Sequence, residues 1–383
     1  MLAAALLAHS CLNSPPYEPK LAEALVFIPK PEVDSGAGSQ FIYVTASGEW
    51  TLSVAERWAS LDRDEGSGDA KGITLRWEAN PSEEARTCVV TLTSGGHISS
   101  ALISQEGSAP EASRPTSLNP DPVAEWLELP SLDKGLCFFT HGMKSSGHPV
   151  RNYSFALDPD AKESVWVAYP LNRDLIGSGS RTDAWGLDPK VPEDFQPVVF
   201  SGFQGSASGK WYQRGHQIPS ADRYLAGANE QTFYGTNITP QIGDFNEKVW
   251  ATLEGMVRSW SCQFDTLYVV TGTDLRGSTD VAYDNYHKAI KVPTGYYKAL
   301  LGYKKSGTIA GTSSTGGYTG VAFYFEHRDY GSGASAAMGQ SMTIDELEGR
   351  LGMDFFPNLP DVVGSSLAGK VESTLDPWWS QNK

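Results

Sequence analysis

Trp211-Tyr-Gln-Arg-Gly-His-Gln-Ile-Pro-Ser-Ala-Asp-Arg223, followed by Thr236-Asn-Ile-Thr-Pro-Gln241, by Phe245-Asn246 and by Trp250-x-x-Leu253-Glu254-x-x-x-Arg258, is where the chain concentrates its chemistry. A His, two Asn, a Glu and several Arg fall within one short region. The glycine beside His216 suits a place where two backbones pack closely. Val249, Leu253, Met256 and Trp260 recur at helical spacing, which predicts a helix over 245–260 with one apolar stripe. At about 100° per residue, Asn246, Trp250, Glu254 and Arg258 form a second stripe beside it. An amide oxygen and a carboxylate on that stripe can approach one hard cation such as Mg²⁺, which takes oxygen ligands and keeps several waters. Each residue also has an ordinary use. Glu254 and Arg258 are spaced as a surface i, i+4 pair, Asn246 as an N-cap, and His216 as a satisfied loop residue.

The rest of the chain frames this segment. Its 383 residues are 40% hydrophobic and 20% charged, with 11 Trp, 16 Tyr and 15 Phe. That aromatic load excludes a disordered chain, a coiled coil and a collagen-like repeat. The 39 Gly and 23 Pro favour β-rich structure with many turns. Net charge is −15, with 7 basic against 14 acidic residues over 1–110 and 23 against 31 beyond. A general basic surface for nucleic acid is therefore absent, although a local basic cleft remains compatible with the total. Three common catalytic signatures are missing. Gly209-Lys210 runs into Trp211 rather than Ser or Thr, so there is no P-loop, and neither Gly-x-Ser-x-Gly nor His-Glu-x-x-His occurs. His141 and His327 have no nucleophile motif nearby, which makes a hydrolase built on either the weakest reading.

Composition divides the chain into four parts. Residues 1–24 hold an apolar run, Leu2 to Ala8, then Ala8-His9-Ser10-Cys11 and a Pro-rich tether. This reads as the tail of a secretory signal with a loose lipobox, so the expectation is an exported protein, either secreted or a cell-surface or periplasmic lipoprotein acylated at Cys11. Residues 25–107 alternate as short strands, for example Phe41-Ile-Tyr-Val44, Ile73-Thr-Leu-Arg-Trp77 and Arg86-Thr-Cys-Val-Val-Thr-Leu92, which suggests a sandwich. Residues 108–123 form a Pro/Ser/Ala linker. Residues 124–383 read as α+β, with strands at Asn152–Asp158 and Ser164–Leu171 around an Asp158-Pro159-Asp160 turn, and another from Leu267. Cys137 and Cys262 could pair within this last part in an oxidising compartment, or remain buried thiols. The cysteine spacing does not suit a structural zinc site.

Two families resemble these parts. Ser47-Gly-Glu-Trp50, Trp58, the Asn80…Arg86 strand entry and the closing Ile103-Ser-Gln-Glu-Gly107 resemble the BACON domain, an immunoglobulin-like module. That likeness implies a glycan or protein contact, or a spacer role, with Trp50 and Trp58 as glycan platforms or, more simply, core anchors. Residues 124–383 resemble the DNA/RNA non-specific endonucleases of the ββα-metal fold. The hallmark Asp-Arg-Gly-His is present as Gln213-Arg214-Gly215-His216, with Asn237, Asn246, Glu254 and Arg258 following, and Gly179-Ser-Arg181 upstream. The expected architecture is thus multidomain, an all-β immunoglobulin-like sandwich before an α+β nuclease domain. The resemblance implies hydrolysis of DNA and RNA phosphodiesters with one Mg²⁺, or Mn²⁺ in its place. His216 becomes the general base and Asn246 the metal ligand. Glu254 orients waters, Arg181 and Arg258 clamp phosphate, and Arg214 and Asn237 give support. Gln213 departs from the acidic residue of the hallmark. The rival readings are a catalytically idle nuclease fold and a glycan-binding surface protein.

Overall fold

Strand alternation builds the first unit. The computed structural model describes residues 24–82, 84–108, 126–133, 135–145, 147–305 and 317–382. The signal-like start with Cys11, the tether up to residue 23 and most of the linker lie outside the described residues. Nine strands come first: β1 (Ala24–Phe27), β2 (Glu32–Val33), β3 (Gly38–Ala46), β4 (Glu49–Val54), β5 (Ala59–Leu61), β6 (Glu65–Ser67), β7 (Ala70–Trp77), β8 (Arg86–Ser94) and β9 (His97–Gln105). They form two sheets, ordered β1-β3-β7-β5 and β2-β9-β8-β4-β6. In β8, Cys88, Val90 and Leu92 point inward and meet Ile42, Val44, Ile73 and Leu75 from the facing sheet. This period-2 pattern is what makes a sandwich hold together. Trp50 belongs to that core, 2% exposed, with its Nε1 donating to the Gly68 carbonyl at 2.8 Å. Trp58 lies against the same core under the Arg86 guanidinium, 4.3 Å from its ring centre. Trp50 is therefore a core anchor, and Trp58 packs partly buried against the same core.

The second unit is organised by one seven-stranded antiparallel sheet. Its strands are β10 (Cys137–Ser145), β11 (His148–Asp158), β12 (Glu163–Leu171), β15 (Thr266–Asp274), β18 (Gly295–Tyr303), β19 (Tyr318–Glu326) and β20 (Ser341–Met342), paired in that order. Two short pairs lie outside it, β13 (Gln213–His216) with β14 (Ile238–Gln241) and β16 (Val281–Tyr283) with β17 (Ala289–Lys291). The turn expected at Asp158 forms, with Asp158 Oδ1 accepting from the amides of Asp160 and Ala161.

The sheet is apolar on both faces, because each has a layer to bury. Val167, Tyr169 and Leu171 of β12, with Tyr296 and Leu300 of β18, pack under a helical segment at 245–261. Trp166, Ala168, Tyr297, Ala299 and Leu301 face the helices Ile344–Leu351 and Ser365–Glu372 on the other side. The sandwich adds Phe27 to the first layer, with Tyr43 packed against it. Phe27 sits 4.8 Å from Phe195 and 6.3 Å from Phe139, ring centre to ring centre. Cys137 is buried there, its thiol donating to the Pro29 carbonyl at 2.9 Å, while Cys262 is exposed. Both are free thiols, so the open question of their pairing closes against a disulfide.

Candidate active site

β13 ends on His216, and its register with β14 explains the glycine before it. Gly215 pairs with Thr239, and a Cβ at Gly215 would lie 2.2 Å from Gln241 Cδ. Asn237 fixes the chain on both sides of this pair. Its Oδ1 accepts from the Ile218 amide, while its Nδ2 donates to the carbonyls of Ile218 and Thr232. It is fully buried and braces the local backbone. The helix that follows is not uniform. Phe245–Trp250 winds as π-helix before the α-helix Ala251–Ser261 takes over. Such wide turns are rare and occur frequently at functional sites.

The expected apolar stripe is buried in full: Val249, Leu253, Met256 and Trp260 all reach the core. The second stripe splits. Asn246 and Glu254 face a cleft of about 520 Å³ that Arg181, Gln213, Arg214 and His216 also line. Trp250 instead turns wholly into the core. Arg258 does not line the cleft. Its Nη1 donates to Asp222 Oδ1 at 2.9 Å, and Tyr169 Oη donates to the other carboxylate oxygen. Neither the phosphate-clamp role nor the Glu254–Arg258 surface pair is therefore what this geometry presents.

His216 is the centre of the cleft's charge pattern. Its Nε2 is buried and has no hydrogen-bond partner among the described residues. The ring is walled by Trp185 at 5.3 Å and Phe233 at 5.2 Å. Burial, with the charges of Arg181 and Arg214 beside it, pushes the imidazole down to about 3. The side chain is thus neutral at any ordinary pH. Arg214 lies over Trp185, 3.6 Å from the ring centre, and Nη1 donates to the carbonyls of Val199 and Phe200. Arg181 is half exposed, with Nε bound to Asp183 and the guanidinium 4.7 Å from the Phe233 ring centre.

Burial pushes the Glu254 carboxyl up, and Lys298 and Arg258 oppose the shift. Burial in turn lowers Lys298, which sits on the sheet face beneath the helix, 4.7 Å from the Trp250 ring centre and donating to Thr271 Oγ1. Asn246 donates through Nδ2 to Gln213 Oε1 at 2.8 Å. The donor set suits a hard cation. It offers the Asn246 amide oxygen and the Glu254 carboxylate, and no group of three or more His, Cys, Asp or Glu that could hold a metal occurs among the described residues.

The sequence gives no role to Trp185 or Phe233, which carry no motif and act by packing. Asp222 lies inside the segment Trp211–Arg223, and Lys298 in a stretch, Val292-Pro293…Tyr297-Lys298, that also resembles the family. The bond of Asp222 to Arg258 and the proximity of Lys298 to Glu254 come only from the packing. His141 and His327 are held by other parts of the fold. His141 Nε2 pairs with buried Asp188 at 2.8 Å. At His327, Nδ1 bonds the Pro293 carbonyl and Nε2 accepts from the Ile242 amide, which removes the hydrolase reading built on either.

Comparison with known proteins shows the family of this part of the chain. Residues 135–362 match the family described as DNA/RNA non-specific endonuclease. The nuclease of Serratia marcescens is 31% identical over 248 residues, 63% of this chain and 87% of that protein. A nuclease of Nostoc sp. is 28% identical across 58% of this chain and 78% of its own length. Human mitochondrial endonuclease G is 28% identical across 39% of this chain and 52% of its own.

Proposed function

The chain belongs to the DNA/RNA non-specific endonuclease family, and from that premise we propose that it hydrolyses DNA and RNA phosphodiesters in the cleft at His216, with one bound Mg²⁺ or Mn²⁺. The observation that carries the reading is the convergence of an imidazole whose buried Nε2 has no partner, a half-exposed arginine, an amide and a carboxylate on one cleft. Neutral His216 takes the proton of the attacking water at Nε2, the nitrogen left without a partner. Arg181 keeps its terminal nitrogens for the phosphate oxygens, because only Nε is committed to Asp183. Arg214, fixed over Trp185, adds positive charge without moving. Glu254 accepts hydrogen bonds from waters in the cleft, and Asn246 Oδ1 would hold the cation. When bound, the cation supplies Lewis-acid stabilisation of charge developing on the phosphate and the departing oxygen. Arg258 acts from behind by holding Asp222.

No element on the cleft, among the described residues, reads base edges, which suits an enzyme that positions through phosphate contacts. Export, acylation at Cys11 and a BACON-like assignment of the sandwich rest on the sequence motifs alone. The test is digestion of plasmid DNA and of RNA with Mg²⁺, with and without EDTA. We expect cleavage of both that EDTA abolishes, and at least ~10²-fold loss in a folded His216→Ala variant. Activity that survives the chelator would sink the one-metal mechanism, and an inert parent protein would favour the idle-fold reading.

A further inference from the structure

Two amides and one carboxylate form a chain along the cleft wall. Asn246 Nδ2 donates to Gln213 Oε1 at 2.8 Å, and Gln213 Nε2 donates to Glu247 Oε1 at 2.5 Å. The direction of this chain is not free. A carboxylate can only accept, so Glu247 requires the NH₂ end of Gln213. That leaves the Gln213 oxygen for Asn246, and an amide oxygen also only accepts. Asn246 must then spend Nδ2 on Gln213 and keep Oδ1 for the cleft. Without such a constraint the two ends of an Asn amide exchange by rotation of the side chain.

We infer that Glu247, acting through Gln213, is the positioning residue that decides which end of Asn246 faces the cleft. It also returns, one residue from Asn246, the negative charge that Gln213 withholds from its hallmark position. The ordinary use of an exposed acid at 247 is to face the first turn of a helix, where Glu247 lies. That use explains a charge there but not the bond to Gln213. The inference rests on the reading of Asn246 as the cation's ligand, and its test separates the two.

Mn²⁺ binding to the full chain, followed by calorimetry or electron paramagnetic resonance, is the readout, with circular dichroism melting alongside. Asn246→Ala should abolish binding in the cleft. Glu247→Gln removes the obligate acceptor of the chain, and Gln213→Leu keeps the charge but breaks the relay. Each should weaken Mn²⁺ binding about tenfold with little change in Tm, the lower end for residues that orient a metal ligand. Gln213→Asp combined with Glu247→Gln should restore affinity, because the carboxylate introduced by the first change accepts from both amides and again forces Asn246 Oδ1 outward. Parental affinity in both single variants, with binding lost in Asn246→Ala, overturns the inference and leaves the ligand assignment standing. Loss in Glu247→Gln but not in Gln213→Leu would make the effect one of charge alone and would equally overturn it, as would a double variant that stays weak. Undiminished binding in Asn246→Ala removes the ligand reading and the inference with it.

Discussion

His216 shows how far a burial environment can move a residue from its sequence-level properties. An unperturbed imidazole titrates near pH ~6.5, so the sequence predicts a rate that rises through about pH 6–7. Burial beside Arg181 and Arg214 lowers the folded value to about 3, which removes His216 from that limb. The carboxyl raised by burial, Glu254, takes it over. In Glu254→Gln the residual activity should therefore show no acid limb between pH 8 and 5; a limb of unchanged midpoint would return it to His216. The same shift bears on stability. Between the folded value of about 3 and the unfolded ~6.5, the unfolded chain binds more protons. Stability is thus fully present above ~6.5 and lost as pH falls toward 3. His216→Gln should flatten, though not abolish, the fall of Tm below pH 6.5, since His327 is likewise depressed, to about 4. Arg258 is the opposite case, a residue that holds Asp222 rather than lining the cleft. Its removal strands a carboxylate that is 1% exposed. Arg258→Ala should cost about 1–3 kcal/mol, as an unsatisfied buried acceptor does. At roughly 2–4 °C per kcal/mol for a domain of this size, melting should show it. An unchanged Tm with lost turnover would restore the phosphate clamp.

At the level of elements, the strands are readable because their patterns are local. Alternation along β8 and the apolar runs of β12 and β15 can be read without knowing their neighbours, and the strands form where expected. The helix at 245–261 is readable as a helix, and its apolar stripe is buried as expected. Its azimuth is not readable, since a π-helical start over Phe245–Trp250 breaks the uniform angular step that placed Trp250 and Arg258 on the cleft face. What lies beneath the helix is also hidden. Lys298 comes from β18 and reaches Glu254 only because the sheet packs that face under the helix. Lys298 lowers the Glu254 carboxyl, so Lys298→Met should raise it further and move the acid limb of the rate to higher pH. A limb that stays in place would show that the two do not interact.

For the whole molecule, the boundary between the two units is less separable than composition implied. Phe27 enters the nuclease core, Tyr43 meets Phe195 edge-on at 4.9 Å, and Lys71 pairs with Asp194. Yet no described residue before Arg181 lines the cleft. A chain beginning near residue 115 should therefore keep its turnover while melting lower than the full chain, because the surface around Phe139 and Phe195 becomes exposed to water. Equal melting of the two would show that the contact stabilises nothing, and loss of activity in a folded truncation would show that the sandwich helps shape the cleft. The sequence by itself determined the strands and singled out His216, Asn246 and Glu254 as candidates, because periodicity and short motif spacing are properties of contiguous chain. Only the tertiary structure decided which of those groups share a cleft, which carry their ordinary protonation, and which are held by Trp185, Lys298, Asp222 or Glu247. Those choices depend on distance and burial between residues far apart in the chain, and charge and solvation act through space rather than along sequence.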